Sequence, residues 1–349
     1  MSAYPWRGLS LDIARSFFPP TALRRLIDRL SDLGLNILHL HLTDDQGWRI
    51  EIPGRPALTE MSGRTAVRGA SSGWLTVGDW VDLAEYAEGR GLTLVPEIDL
   101  PGHVNAALHA LPELNPGPAP AAYDGTEGTG SRLEPTLSQT EDFLRDVIGA
   151  VARITPGRWI HIGGDECLGL SDADYRTLVS LAANLVNESG KQPVAWQEAA
   201  LAGLGDQLIL QLWHIGSAAD HPEAANSGEA DPIAALADRT CTALLEQAGR
   251  GAAVILSPAP WTYFDMKQVA DATGQAWAGT LTLDKASTWD PPATLPGLDP
   301  GRILGVEAAM WTEFVHTETA LYDMLFPRLT AFARIAQGLA VDPDERRVA

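Results

Sequence analysis

Two carboxylates stand side by side at Asp165 and Glu166, in the stretch RWIHIGGDEC at residues 158–167, after a short apolar run and a glycine pair. Paired acids suit hydrolysis of an acetal, one donating a proton while the other works on the opposite face. Such pairs are held on either side of the scissile bond, about 5 Å or more apart. Neighbours in sequence straddle a bond poorly. Asp165 and Glu166 therefore ask for chemistry in which an acid and a helper act from the same side.

Other residues able to do chemistry fall on the same face of their segments. Side chains alternate along a strand, so in HLHLT the leucines face one way and His39 and His41 the other. The same count turns Asp12, Glu97, Asp99, His161, Asp165, Glu307, Trp311 and Glu313 inward. Burying that many ionisable groups is costly unless they are paired or used. A shared functional site is the better expectation. The His39-x-His41 pair first suggests a metal, with His161 and His214 as further ligands, but the later strand ends GGDE, WQE and WTE lack the Lys and the terminal Asp of metal-dependent barrel hydrolases. Histidines bonded to inward carboxylates explain the pair better, and neither a metal nor a cofactor is expected.

Tryptophan outnumbers the other aromatics, 11 against 7 Phe and 6 Tyr. Trp48, Trp196, Trp213, Trp277 and Trp311 are expected at strand ends or adjoining loops. Flat indoles cover the apolar faces of sugar rings while carboxylates accept from hydroxyls, so aromatic and acid together indicate a carbohydrate site.

The elements that must position these groups alternate along the chain. Short β-rich runs occur at GLSLDIA, NILHLHLT, LTLVPEID, RWIHIGG, QPVAWQE, LILQLW, AAVILSP and ILGVEAAMW, with longer amphipathic segments between them. Such βα units predict an α/β fold, a closed eight-stranded (β/α)8 TIM barrel forming one domain over residues 1–349, with the barrel at about 5–338. Active sites in that fold lie at the C-terminal ends of the strands. Helix starts are expected at Thr76 with Asp79, Ser138 with Glu141 and Ser171 with Asp174, and helix stops at Gly34 and Gly91. Residues 112–135 are too rich in Pro and Gly for either element and predict a lid or binding loop.

Composition narrows the partners. A formal charge of −20 repels nucleic acid and anionic membranes. Cys167 and Cys241 are too few for a disulfide framework. The N-terminal MSAYPWRGLSLD has no basic segment followed by an apolar one, so as written the protein is expected in the cytoplasm, with secretion left open if the chain was trimmed ahead of residue 1.

Seven stretches in register, RGLSLDIARSFF, HLHLTDDQGWRIEI, PEIDLPGHVNAAL, HIGGDE, TYFDMK, WAG and GVEAAMWTE, resemble the catalytic domain of family 20 glycoside hydrolases, the β-N-acetylhexosaminidases, over roughly residues 5–335. The resemblance implies removal of a terminal β-linked N-acetylglucosamine or N-acetylgalactosamine with retention of configuration. The substrate's own 2-acetamido oxygen is the nucleophile and forms an oxazolinium intermediate, a known exception to the two-carboxylate scheme. By motif, Glu166 matches the general acid and Asp165 the group that orients the acetamido N–H, while Tyr263 matches the hydroxyl on the acetamido oxygen. Trp196, Trp213 and Trp277 match the walls around that group, and Arg15, Asp265, Trp311 and Glu313 the residues that hold the sugar's hydroxyls and face. Asp99 and His103 match a pair that adjusts Glu166, with His161 buttressing it, and a raised pKa is expected for the acid.

The expected partner is thus a small carbohydrate, with a homodimer left open. Two other readings remain: a family member releasing a β-linked disaccharide, as a lacto-N-biosidase does, and a sugar-binding barrel without catalysis. The chain also departs from many relatives. It starts at the first strand without a preceding small α+β domain, it ends at DPDERRVA soon after the eighth barrel helix, and CLGLSDADY after GGDE says nothing of the leaving-group side.

Overall fold

The computed structural model describes residues 4–215 and 232–341, so the terminal DPDERRVA lies outside the described residues. Ten strands are present: β1 (Trp6–Asp12), β2 (Ile37–His41), β3 (Thr43–Asp44), β4 (Gly47–Trp48), β5 (Thr93–Glu97), β6 (Trp159–His161), β7 (Gln192–Trp196), β8 (Ile209–Leu212), β9 (Val254–Leu256) and β10 (Ile303–Met310). Eight of them close into a barrel in the order β1-β10-β9-β8-β7-β6-β5-β2, all pairings parallel. The remaining two, β3 and β4, form an antiparallel ribbon beyond β2. Each of the eight runs read from the sequence supplies one barrel strand, and the single-domain TIM barrel is the architecture observed.

Alternation along the strands sorts the side chains into two compartments. Leu38 and Leu40 of β2, with Leu9 and Leu11 of β1, join the large apolar layer under the helices. The inward positions begin with a small apolar plug of Trp6, Ile37, Val95, Val194, Ile209 and Ile255. Above the plug the interior turns polar. His39 and Glu307 pair at 2.9 Å, and Gln211 donates to the same Glu307 oxygen at 2.9 Å. Trp6 closes this floor by donating its indole N–H to Glu307 Oε2 at 2.7 Å. Register then sets the next level, because His41 lies opposite Glu97, and Glu97 opposite His161, on successive strands. Parallel neighbours in register point their side chains the same way, so the three must meet.

Gly8 shows how tightly this interior is filled. A Cβ there would stand 2.3 Å from Glu307 Oε2, so only glycine leaves room for the carboxylate.

Helix boundaries follow the capping signals at two of three places. Thr76 and Asp79 make a reciprocal capping box ahead of helix Val77–Glu88, and Ser171 accepts from the Asp174 N–H ahead of helix Asp172–Glu188. Ser138 is a correction: it is the first residue of its helix, whose N-cap is Leu137 with no side-chain cap. Gly34 and Gly91 both take left-handed φ, 71° and 76°, just past their helices. Trp48 is a second correction. It is buried against Phe143 and donates to the Ile50 carbonyl, so this indole fills core instead of facing a ligand.

Candidate active site

The loops leaving the C-terminal ends of the strands surround a cavity of about 550 Å³ that opens to solvent. Of the residues singled out from sequence, Arg15, His103, Asp165, Glu166, Trp196, Trp213, Tyr263, Asp265, Trp277, Trp311 and Glu313 line it together. They come from seven of the eight strand-to-helix connections or strand ends, which explains why they are scattered over some 300 residues of chain. Asp99 and His161 do not line the cavity, so neither is placed to contact a sugar, and both stand behind the wall as supports. Asp99 is buried beneath the wall and accepts from the Gly164 N–H at 3.3 Å. His161 is fully buried, accepts from the Gly163 N–H at 3.0 Å and approaches Glu97 Oε1 at 3.0 Å.

The GGDE turn is built from strained backbone. Gly163 and Gly164 have φ of 66° and 108°, and Glu166 itself has φ of 47°. A Cβ on Gly163 would fall 1.6 Å from Asp99 Oδ1, so the turn can sit on Asp99 only with glycine there. His103, on the loop after β5, is the other non-glycine residue with left-handed φ among the described residues, at 55°. Each such residue costs about 1–3 kcal/mol, which the surrounding packing must outweigh. Both carboxylates converge on that histidine: His103 Nε2 lies 3.7 Å from Asp165 Oδ2 and 3.5 Å from Glu166 Oε2.

Behind His103 stands Asp44, a residue the sequence reading quoted in its TDDQGW stretch without giving it a part. Its Oδ1 lies 3.2 Å from His103 Nδ1, while its Oδ2 lies 2.8 Å from His41 Nε2 and 2.9 Å from an Arg15 nitrogen. Arg15 and His103 outweigh the effect of burial and hold the Asp44 carboxyl well below its ordinary value. Burial alone would push His103 down, but Asp44 and Glu166 raise it well above the usual imidazole range. A cation thus stands beside Asp165 and Glu166.

The acids respond in opposite directions. Burial, with Glu97 and Glu166 adding to it against His103, pushes Asp165 up to about 6. For Glu166 burial acts the same way, but the hydrogen bond and charge of His103 outweigh it and lower the carboxyl below its ordinary value. The raised acid expected from sequence is therefore not found. Its side chain is 38% exposed at the mouth.

The far wall is aromatic. Trp213 and Tyr263 stack nearly parallel at 6.4 Å and 13°, and Trp277 stands perpendicular to both at 6.0 and 5.9 Å. Burial and the nearby Asp165 and Asp265 raise Tyr263 well above its ordinary value, so its hydroxyl keeps the proton it would donate. The loop after β7 pins Trp213 at both ends. Gln197 accepts from its backbone N–H at 2.9 Å, and Glu198 accepts from its indole N–H at 3.0 and 3.2 Å. Glu198 is buried and pushed up to about 8 by burial and by Asp165. Nothing in the WQE stretch by itself marks this role.

Opposite lies the polar end. Arg15 sits 5.3 Å over the Trp311 ring and takes Asp44 and Gln46 as partners. Glu313 is pushed up to about 7 by burial, Arg15 opposing and Asp12 adding, and Asp265 is raised well above its ordinary value by burial and by Glu313. Neither oxygen of Asp265 has a protein partner although both are buried. Gln275 lines the same wall and carried no signal in the sequence.

The loop at 112–135 contributes no residue to the wall. It packs alongside, where Asp45 accepts from Thr129 N at 2.7 Å and from Ser131 Oγ at 2.5 Å, and Gln46 donates to the Gly125 carbonyl at 2.9 Å.

With this geometry in hand, comparison with known proteins is specific. The family described as Glycosyl hydrolase family 20, catalytic domain, matches residues 4–177 and 171–336. A beta-N-acetylhexosaminidase of Cellulomonas fimi is 42% identical over 98% of this chain and 65% of its own length. Among solved structures, the GH20 beta-N-acetylhexosaminidase of Streptomyces coelicolor A3(2) superposes with a TM-score of 0.89 at 37% identity, covering 99% of this chain and 67% of that one. A mutant Streptomyces plicatus beta-hexosaminidase in complex with product (GlcNAc) gives 0.87 and 37%, covering 98% and 65%. The chain thus spans about two thirds of the length of these relatives. A closed barrel with this pocket, matched end to end by the same family in sequence and in structure, assigns the chain to glycosyl hydrolase family 20.

Proposed function

We propose that the protein is a retaining exo-glycosidase that removes a terminal β-linked N-acetylglucosamine or N-acetylgalactosamine, using the substrate's acetamido group as nucleophile. The observation that carries this reading is the convergence of Asp165 and Glu166 on one imidazole nitrogen, 3.7 and 3.5 Å away. Two acids on the same side can serve one acid step and one orienting step. The remaining pocket carboxylates are poor candidates for a protein nucleophile, since Asp44 is already held by His41, His103 and Arg15, Glu313 is raised to about 7 and Asp265 is also raised. A protonated carboxyl attacks weakly.

In this mechanism the Trp213, Tyr263 and Trp277 cage folds the acetamido group beneath the ring. Asp165, ionised, accepts from the amide N–H, and Tyr263 donates to its oxygen. That oxygen forms a bond to C1 as the glycosidic C1–O bond breaks, and Glu166 gives its proton to the leaving oxygen. Glu166, now a carboxylate, takes a proton from water, which attacks C1 from the face the leaving group vacated and reopens the oxazolinium ring. Holding a neighbouring nucleophile in reach can lower a barrier by about 7–11 kcal/mol. A sugar in the mouth also takes water away from Glu166, which adds to the upward push of burial, so the acid holds its proton more tightly when it is needed. Arg15, Asp265 and Glu313 close the other end around the hydroxyls, which favours single-residue release over disaccharide release. The Streptomyces plicatus relative's complex with GlcNAc supports the same substrate class.

The test is nitrophenol release from the aryl β-glycoside of N-acetylglucosamine beside the plain glucoside, with a chelator present. Activity on the acetamido sugar alone is expected. Equal activity on the glucoside overturns the mechanism, because glucose has no amide to lend. Silence on both favours disaccharide release or sugar binding without catalysis.

A further inference from the structure

A file of alternating acids and bases, joined by hydrogen bonds and close ion-pair approaches, runs from the floor of the barrel to Glu166. Glu307 Oε1 meets His39 Nδ1 at 2.9 Å, and His39 Nε2 meets Glu97 Oε2 at 3.1 Å. Glu97 Oε2 then meets His41 Nδ1 at 2.7 Å, and His41 Nε2 meets Asp44 Oδ2 at 2.8 Å. Asp44 passes to His103 at 3.2 Å, and His103 to Glu166 at 3.5 Å. Acid and base alternate at every step, which is the arrangement that makes burial of so many charges tolerable. Glu307, His39, Glu97, His41 and Asp44 are all buried.

His41 is the joint of this file. Its ring borders the pocket, yet both nitrogens are already taken, by Glu97 and by Asp44, and its edge packs on Trp311 at 5.1 Å and 81°. It has no nitrogen to offer a sugar, so anything it does must pass through a partner. Asp44 Oδ2 has two holders, Arg15 and His41. Arg15 is the one placed to turn toward a sugar hydroxyl, which leaves His41 to keep Asp44 aimed at His103 when the pocket is in use.

We propose that His41, clamped between Glu97 and Asp44, is a positioning residue for proton transfer by Glu166, and that the buried file ending at Glu307 is what holds it in place. This rests on the function proposed above. Removing His41 leaves Asp44 held only by Arg15 and by the Asp45 N–H on Oδ1, so once Arg15 turns to a sugar the aim of Asp44 at His103, and of His103 at Glu166, slackens. Steps that need no proton from Glu166 are spared. The contacts that build the cage of Trp213, Tyr263 and Trp277 do not involve His41, and its pull on the Asp165 carboxyl acts alike on every leaving group.

The test compares H41Q and E97Q with the unsubstituted protein on two aryl β-glycosides of N-acetylglucosamine at neutral pH. One carries dinitrophenol, which leaves without protonation, and the other unsubstituted phenol, which needs it. General acid catalysis contributes about 10²–10⁴-fold. The phenyl substrate is expected to lose at least about tenfold more kcat than the dinitrophenyl substrate in both variants. Equal losses on the two substrates, or equal retention, overturn the proposal and leave His41 a purely structural residue. Should either variant fail to fold, the unsubstituted protein gives an independent readout. Downfield proton resonances on both His41 nitrogens are expected, and a neutral, singly protonated ring overturns the proposal. No activity of the unsubstituted protein on the dinitrophenyl substrate defeats the function itself and is thereby distinguished from failure of the His41 role.

Discussion

His103 and Glu166 are the two non-glycine residues of the described chain whose φ is left-handed, at 55° and 47°, and the imidazole Nε2 of one stands 3.5 Å from the carboxylate of the other. Strain at both members of an interacting pair indicates that the fold holds them for their chemistry against local preference. Glu166→Gln is expected to lower turnover of a disaccharide substrate by about 10²–10⁴-fold while the protein still binds N-acetylglucosamine. Glu166→Gly relieves the backbone, so its Tm should equal or exceed that of the parent although activity is lost. Near-normal turnover in the first variant, or a marked fall in Tm in the second, contradicts these roles.

Asp165 must be ionised to accept the acetamido N–H, and its carboxyl is pushed up to about 6. The value of kcat/KM on the dinitrophenyl substrate, which needs no proton from Glu166, should therefore fall as pH drops through about 6, approaching tenfold per pH unit below it. Asp165→Asn removes that limb along with most of the rate. A flat profile down to the ordinary carboxylate range speaks against Asp165 as the orienting base.

Gly163→Ala places a methyl group where Asp99 Oδ1 already sits, 1.6 Å away, on backbone that disfavours any side chain. The turn carrying Asp165 and Glu166 must then move. A 1 Å misplacement of reacting groups can cost about 10²-fold, so we expect at least that loss in kcat with a lowered Tm. Wild-type kinetics in this variant would show that the turn tolerates a shift the packing forbids.

Glu198 is raised to about 8 from an ordinary value of 4.5 by burial and by Asp165. The folded state thus binds this proton more tightly than the unfolded chain, and stability drains away as pH climbs from about 4.5 to about 8. Glu198→Gln keeps an acceptor for the Trp213 indole and removes the charge. Its advantage in Tm over the parent should grow across that window and level off above it. Tm measured against pH for both proteins decides, and a constant difference contradicts the assignment.

Much of this site was legible in sequence, and the residues show why. Strand alternation depends only on local backbone geometry, so the inward set Glu97, His161, Glu307 and Trp311 could be counted before any fold was known. The bonding of His39 and His41 to inward carboxylates followed from the cost of burying either group alone. The same reasoning faltered where the chain leaves regular structure. Trp48 was grouped with the ligand-facing tryptophans because its place in the β3–β4 ribbon, which tucks it against Phe143, is a tertiary contact. Asp44 belongs to that same ribbon, and its part between Arg15, His41 and His103 depends on three loops from different strands meeting.

The charge state of Glu166 marks the boundary most clearly. Sequence by itself determined that an acid stands beside Asp165 at a strand end of an eight-stranded barrel. Only the tertiary structure decided that His103 approaches to 3.5 Å, where its hydrogen bond and charge outweigh burial and turn an expected upward shift into a downward one. Pattern and periodicity are properties of neighbours along the chain, whereas a pKa is set by which distant charges arrive and how much water remains.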